Sequence, residues 1–166
     1  MLSSQNPAKK FIVLYNTAGK NIASCVIGRQ RLPPFTINKM VIYPKGFIVE
    51  KKCMFYGTND ELEAHYLCAI LNSDVVNQMI KPLQTRGLYG ERDIVRRPLM
   101  LPIPKFDYTV SIHKRLAELS KICHKKVSKV RFNKKSVAGL RKQTKEAIKD
   151  VLKEIDEVFV KLLGTE

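Results

Sequence analysis

HYLCAILNSDVVNQMIKPLQTRGLYGERDIVRRPLMLPIP, residues 65–104, is the stretch whose reading decides the fold. Its first part has helical periodicity. Leu62, Tyr66, Ala69 and Ile70 recur three and four apart, and Leu67 and Leu71 widen the apolar face, so this helix is predicted to be deeply buried. Just upstream, Thr58-Asn59-Asp60-Glu61 has capping-box spacing, with Thr58 as the expected N-cap. Asn72-Ser73-Asp74 breaks the helix, and Asn72 or Ser73 recaps a second one through Val75, Val76, Met79 and Ile80, ended by Pro82. Residues 84–98 read as a loop with a short strand at 93–96, and Pro98, Pro102 and Pro104 make 98–107 extended. A buried helix that leads into an Arg- and Gly-rich loop and a stiff proline exit suggests a loop presented for binding.

Working outward, the N-terminal side is rich in β-formers. Phe11 to Tyr15 and Ile22 to Ile27 are predicted to pair as a hairpin across Asn16-Thr17-Ala18-Gly19-Lys20. Lys39 to Tyr43 and Phe47 to Glu50 read as two more strands around Pro44-Lys45-Gly46, the second extending through Lys51 to Tyr56. On the C-terminal side, Ser111 is the expected N-cap of a helix through Ile112, Leu116, Leu119, Cys123 and Val127. Residues 133–136 form a polar joint, and 137–163 read as one long helix with a near-heptad seam. The fold class expected is α+β: a small strand-rich domain (1–108) with a central buried helix, then a helical arm (109–166) of two long helices forming a helical hairpin or coiled coil.

Thirty Lys and Arg against fifteen Asp and Glu give a formal net charge of +15. Such a field favours a polyanion, nucleic acid first and an anionic membrane second. Residues 114–145 hold twelve basic residues and one acidic, whereas 146–166 hold six acidic and three basic. That polarity suggests a phosphate-facing end and a protein-facing end, although two exposed faces would produce it as well. Cys25, Cys53, Cys68 and Cys123 have no metal-knuckle spacing, and free thiols in a reducing cytoplasm are expected. No apolar signal region opens the chain, and no apolar run reaches membrane-spanning length.

His65, His113 and His124 are each isolated in sequence. His65 is expected inside a buried helix as a packing residue, and the other two on a basic surface. HExxH, GxSxG, a P-loop and metal-ligand spacing are all missing from the sequence, and no cofactor is expected. The binding signal lies in Arg86, Arg92, Arg96 and Arg97, whose planar forks suit phosphate pairs and the guanine acceptor edge. Gly87 and Gly90 would let that backbone approach a partner, and Tyr89 could stack or contact a sugar. Pairing of these arginines with Glu91 and Asp93 is the bland alternative. Arg29 and Arg31 form a second basic loop, expected to lie beside the first, with Lys45, Lys51 and Lys52 as weaker phosphate contacts.

Residues 61–73, ELEAHYLCAILNS, resemble the EAxYLxAILNS helix of DNA target-recognition domains. Those domains lie at the C-terminus of adenine-specific DNA methyltransferases of prokaryotic restriction–modification systems, and similar ones make up Type I specificity subunits. Gly90-Glu91-Arg92-Asp93-Ile94 and Leu101-Pro102-Ile103-Pro104 are similar to the family's RDI and PIP continuation, as is the strand region Phe47-Ile48-Val49 to Phe55-Tyr56 upstream. The resemblance covers roughly residues 10–120. It implies a module that reads a short sequence in double-stranded DNA while a separate catalytic domain or subunit methylates a flipped adenine. This chain lacks the family's catalytic Asn/Asp-Pro-Pro-Tyr/Phe motif. Leu32-Pro33-Pro34-Phe35 starts with an apolar residue that cannot hold the adenine amino group. The chain is therefore expected to be a non-catalytic recognition part, with the C-terminal seam serving a methyltransferase or a second copy as a homodimer. Two other readings stay open: an RNA-binding or ribosome-associated protein, and a protein-interaction scaffold.

Overall fold

The computed structural model describes residues 5–29, 32–87, 90–91 and 93–164, with the backbone alone at 86, 90 and 91. The fold is mixed α+β, with five α-helices and small antiparallel sheets among the described residues. The main sheet has the order β2–β1–β5, with β1 Phe11–Asn16, β2 Ser24–Gly28 and β5 Cys53–Thr58. β1 is central because Phe11-Ile12-Val13-Leu14-Tyr15 combines β-propensity with apolar side chains on alternate faces. Val13 lies between Val26 and Tyr56 across the two ladders.

A second hairpin exists, but it is not the expected one. β3 (Phe35–Ile37) pairs with β4 (Met40–Ile42) around Asn38-Lys39. Both turn residues have positive φ, 48° and 67°, the combination that suits a two-residue hairpin. Residues 43–50 are not strand, so the expected pairing across Pro44–Gly46 does not form. A two-stranded pair, β6 (Arg86–Gly87) with β7 (Gly90–Glu91), occupies part of the region read as loop.

α1 (Glu61–Asn72) is the pivot of the core. Its N-cap is Asp60, whose carboxylate accepts from the amides of Leu62 (2.8 Å) and Glu63 (3.3 Å). Thr58 is still paired to Phe11 in the sheet. Its hydroxyl accepts from the Asp60 amide and donates to Glu63, so it braces the cap rather than forming it. The helix buries Ala64, His65, Tyr66, Cys68, Ala69, Ile70 and Leu71, because the sheet lies on one side and two later helices on the other. α2 (Asp74–Ile80) follows and is capped by Ser73, and Pro82 falls within a single 3₁₀ turn, 81–83.

α3 (Ser111–Val127) packs along α1, and α5 (Lys149–Leu163) packs on α3. Ser111 is the first helical residue rather than the cap. Val110 takes that position with no side-chain bond. The helix expected over 137–163 is two helices, α4 (Val137–Ala147) and α5, separated at Ile148 (φ −121°, ψ 13°). α4 buries no residue, while α5 inserts Val151, Ile155, Phe159 and Leu162. One cluster of buried side chains joins Val13 and Tyr15 of the sheet to α1, Leu116 and Leu119 of α3, and Ile155 and Phe159 of α5. That cluster crosses the expected boundary at 108, and the apolar stripe of α5 lies inside it. Among the described residues no helix is long and apolar enough to cross a membrane.

Candidate nucleic-acid interface

Asn72-Ser73-Asp74 fixes the frame on which the basic loop sits. The Asn72 side chain mimics a neighbouring strand, accepting from the Ser24 amide (3.0 Å) and donating to the Ser24 carbonyl (2.9 Å). Ser73 accepts from the Val75 amide and donates to Asp156 of α5 (2.6 Å), which also accepts from the Asp74 amide (2.9 Å). Asn77 accepts from the Ile22 amide (2.7 Å) and donates to the Ser73 carbonyl (3.0 Å). Three polar side chains thus lock α1, α2, β2 and α5 together through charge-assisted and buried bonds.

The loop after α2 is tied to the β1–β2 turn. Both Ile94 and Val95 donate their amides to the Thr17 carbonyl, at 3.0 and 3.1 Å, and Gln84 donates to the Gly19 carbonyl. Ile94 is fully buried as the anchor. Val95 follows at φ 33°, a conformation that a β-branched residue rarely adopts. It is held there by its amide bond and by the Tyr15 hydroxyl, which donates to its carbonyl (2.9 Å). Burial raises the Tyr15 phenol pKa, and the charge of nearby Arg96 lowers it in opposition. Such strain, about 1–3 kcal/mol, persists only where the surroundings impose it. Val95 is followed by Arg96, which is exposed, and Arg97, which is half-buried and donates toward Met100 Sδ at 3.9 Å in a 3₁₀ turn, 97–100.

Arg29 lies elsewhere. Its amide donates to the Lys10 carbonyl (2.9 Å) at the start of β1, whereas Val95 sits at Thr17, just past the end of β1. Seven residues of extended chain separate the two points, about 20 Å. Arg29 and the Val95–Arg96 segment are therefore at opposite ends of β1 and not side by side. Arg29 is only 8% exposed, with its guanidinium 5.3 Å from the Phe47 ring centroid. Arg31, Tyr89 and Arg92 lie outside the described residues, and of Arg86 the structure gives the backbone, paired with Glu91. Of the expected contacts, Arg96 and Arg97 share one surface.

Two cations with no motif in sequence lie at the turn that anchors this loop. Lys20 is exposed on the β1–β2 turn, and Arg141 of α4 brings Nη1 to 4.0 Å from where a side chain at Gly19 would begin. Lys145, one turn further along, reaches Asp74 at 3.8 Å and holds α4 beside α2. Arg141 belongs to the basic run visible in sequence, but only the tertiary fold places it at residue 19. The charge polarity of the C-terminal region has an internal use as well. Arg115 and Lys126 of α3 pair with Glu154 and Asp150 of α5, each at 2.5 Å.

No family model, curated protein or solved structure matches the chain. The functional reading therefore rests on its own residues.

The histidines are structural. His65 is buried and bonds Ser120 Oγ (3.0 Å), with the His124 ring edge-on at 4.9 Å. Desolvation, then the charges of His124 and Lys121, lowers its pKa to about 4, against a smaller opposing effect of Glu61. His124 Nε2 accepts from the Val26 amide (3.0 Å) while Nδ1 faces the Ser120 carbonyl (2.8 Å), so the proton sits on Nδ1. His113, expected on the surface, is buried against Tyr66 and Phe106 and accepts from the Asp107 amide. Cys68 and Cys123 are buried thiols whose pKa values burial raises to about 12 and about 11, which makes them poor nucleophiles.

Proposed function

We propose that this chain is the target-recognition module of a restriction–modification DNA methyltransferase, a cytoplasmic double-stranded-DNA reader with no catalysis of its own. The observation that supports this most is the loop 84–100. It is anchored by Ile94, strained at Val95 and carries Arg96 and Arg97, and the turn that holds it carries Lys20 and is approached by Arg141, on a protein of net charge +15. An anchored backbone that carries arginines suits groove recognition, because little backbone entropy is lost when they pair with bases or phosphates. Arg86, Tyr89 and Arg92 belong to the same segment and complete the proposed contact set.

In this reading α1 is the central scaffold helix and the paired C-terminal helices brace it. The helix that resembles the family's ILNS segment supports the reading through Asn72 and Ser73, and Tyr66 ties it to the PIP segment by donating to the Pro104 carbonyl (2.9 Å). The catalytic partner docks on another face. The β3–β4 hairpin exposes Phe35, Ile37, Met40 and Val41, a surface suited to an apolar protein contact. Selection of duplexes from a randomised pool tests the reading. A short enriched motif is expected, and retention of random sequence would refute it.

A further inference from the structure

At the far end of β1 from Arg96 is a cleft of about 410 Å³ bounded by Lys9, Lys10, Arg29 and Lys45, with Pro7 and Pro44 as walls. Among the described residues, all of its charged lining residues are cationic. Arg29 is nine-tenths buried, stacked 5.3 Å from the Phe47 ring and bonded from Nη1 to the Pro7 carbonyl at 3.4 Å. Its Nε is buried and has no hydrogen-bond partner among the described residues. Among the described residues no carboxylate pairs with it. Glu50, the acid closest in sequence to Lys45, instead accepts from the Lys52 amide. The cleft is also built rather than incidental, because Lys10 is fixed through its amide to Asn59 and its carbonyl to the Arg29 amide.

A buried guanidinium without a counter-charge is unfavourable, and natural folds hold such groups where a partner completes them. Three lysines around one oriented arginine specify that partner's sign. The planar donor fork suits a bidentate oxyanion, and four cations around one cleft favour a multiply charged phosphoryl group over a single carboxylate. We propose that this cleft is a phosphoryl-binding site, with Arg29 as its oriented ligand and Lys9, Lys10 and Lys45 as its charged rim. The site stands apart from the Arg96 surface and does not depend on DNA recognition. The phosphoryl group could be a backbone phosphodiester or a separate phosphate, and the two sources are distinguishable.

Titration of the full chain with inorganic phosphate, followed by amide NMR at matched ionic strength against chloride, tests the site. Saturable shifts confined to residues around 9, 10, 29 and 46 are expected. Affinity should fall about tenfold in Arg29→Met and in Lys45→Ala, the loss of one charge-assisted contact. Lys45 is exposed, so its replacement does not threaten the fold. Shifts that do not saturate, that spread over all basic surfaces, or that are unchanged in both variants would overturn the proposal. Adding a duplex then identifies the source. Displacement of phosphate assigns the cleft to the DNA backbone, and retention assigns it to a separate phosphoryl group. A duplex that fails to bind while phosphate still saturates removes the DNA reading alone.

Discussion

Acidification from about pH 7.5 to about pH 4.5 should destabilise the fold by about 2.5 kcal/mol through His65 alone. The imidazole is buried between α1 and α3, bonded to Ser120, with His124 edge-on and the Lys121 ammonium nearby. Its pKa is lowered to about 4 in the folded chain, against about 6.5 when unfolded. Between those values the unfolded chain binds a proton that the folded chain does not, so stability rises with pH across this window. The contribution is fully present above about pH 6.5 and is lost as pH falls toward 4. Urea unfolding across this range, for wild type and for His65→Gln, isolates the effect, because the carboxylates and the other histidines are common to both. The wild-type curve should fall more steeply than the variant's by about 2.5 kcal/mol. Equal slopes would refute the burial argument, as would an NMR titration placing His65 near 6.5 in the folded protein.

Three further outcomes follow from the packing and the loop. Phe159→Ala leaves a cavity beneath α5 and should lower stability by about 3–5 kcal/mol in denaturant melts, since this residue is 1% exposed. Asn72→Ala strips the clamp from both polar groups of Ser24 and should cost about 2 kcal/mol, with faster hydrogen exchange at the Ser24 amide. Arg96→Ala and Lys20→Ala should each weaken duplex binding about fivefold and reduce the salt slope by about one, with little change in melting temperature.

Much of the scaffold was legible because it is local. The spacing of apolar residues marked α1, α2 and α3, and β-formers marked β1 and β2. What was misread depends on contacts distant in sequence. Thr58 and Asp60 both have capping chemistry, and only the pairing of Thr58 with Phe11 in β5 leaves the cap to Asp60. Asn38-Lys39 and Pro44-Lys45-Gly46 both have turn chemistry, and pairing of β3 with β4 selects the first. His113 reads as a surface residue on a basic helix until Tyr66 and Phe106 close over it. At the candidate site, the arginine-rich loop was visible as composition. That Arg29 belongs to the opposite end of β1, and that Arg141 joins Lys20, follow from strand register and helix packing, which span many residues of sequence.

Titration of a fluorescent duplex against structured RNA, across a range of salt concentrations, tests the central claim most directly. The account predicts that the duplex is preferred and that log affinity falls linearly with log salt. A slope of about −4 is expected if Lys20, Arg96, Arg97 and Arg141 each neutralise a phosphate. Tighter binding of the RNA, or duplex affinity independent of salt, would contradict it.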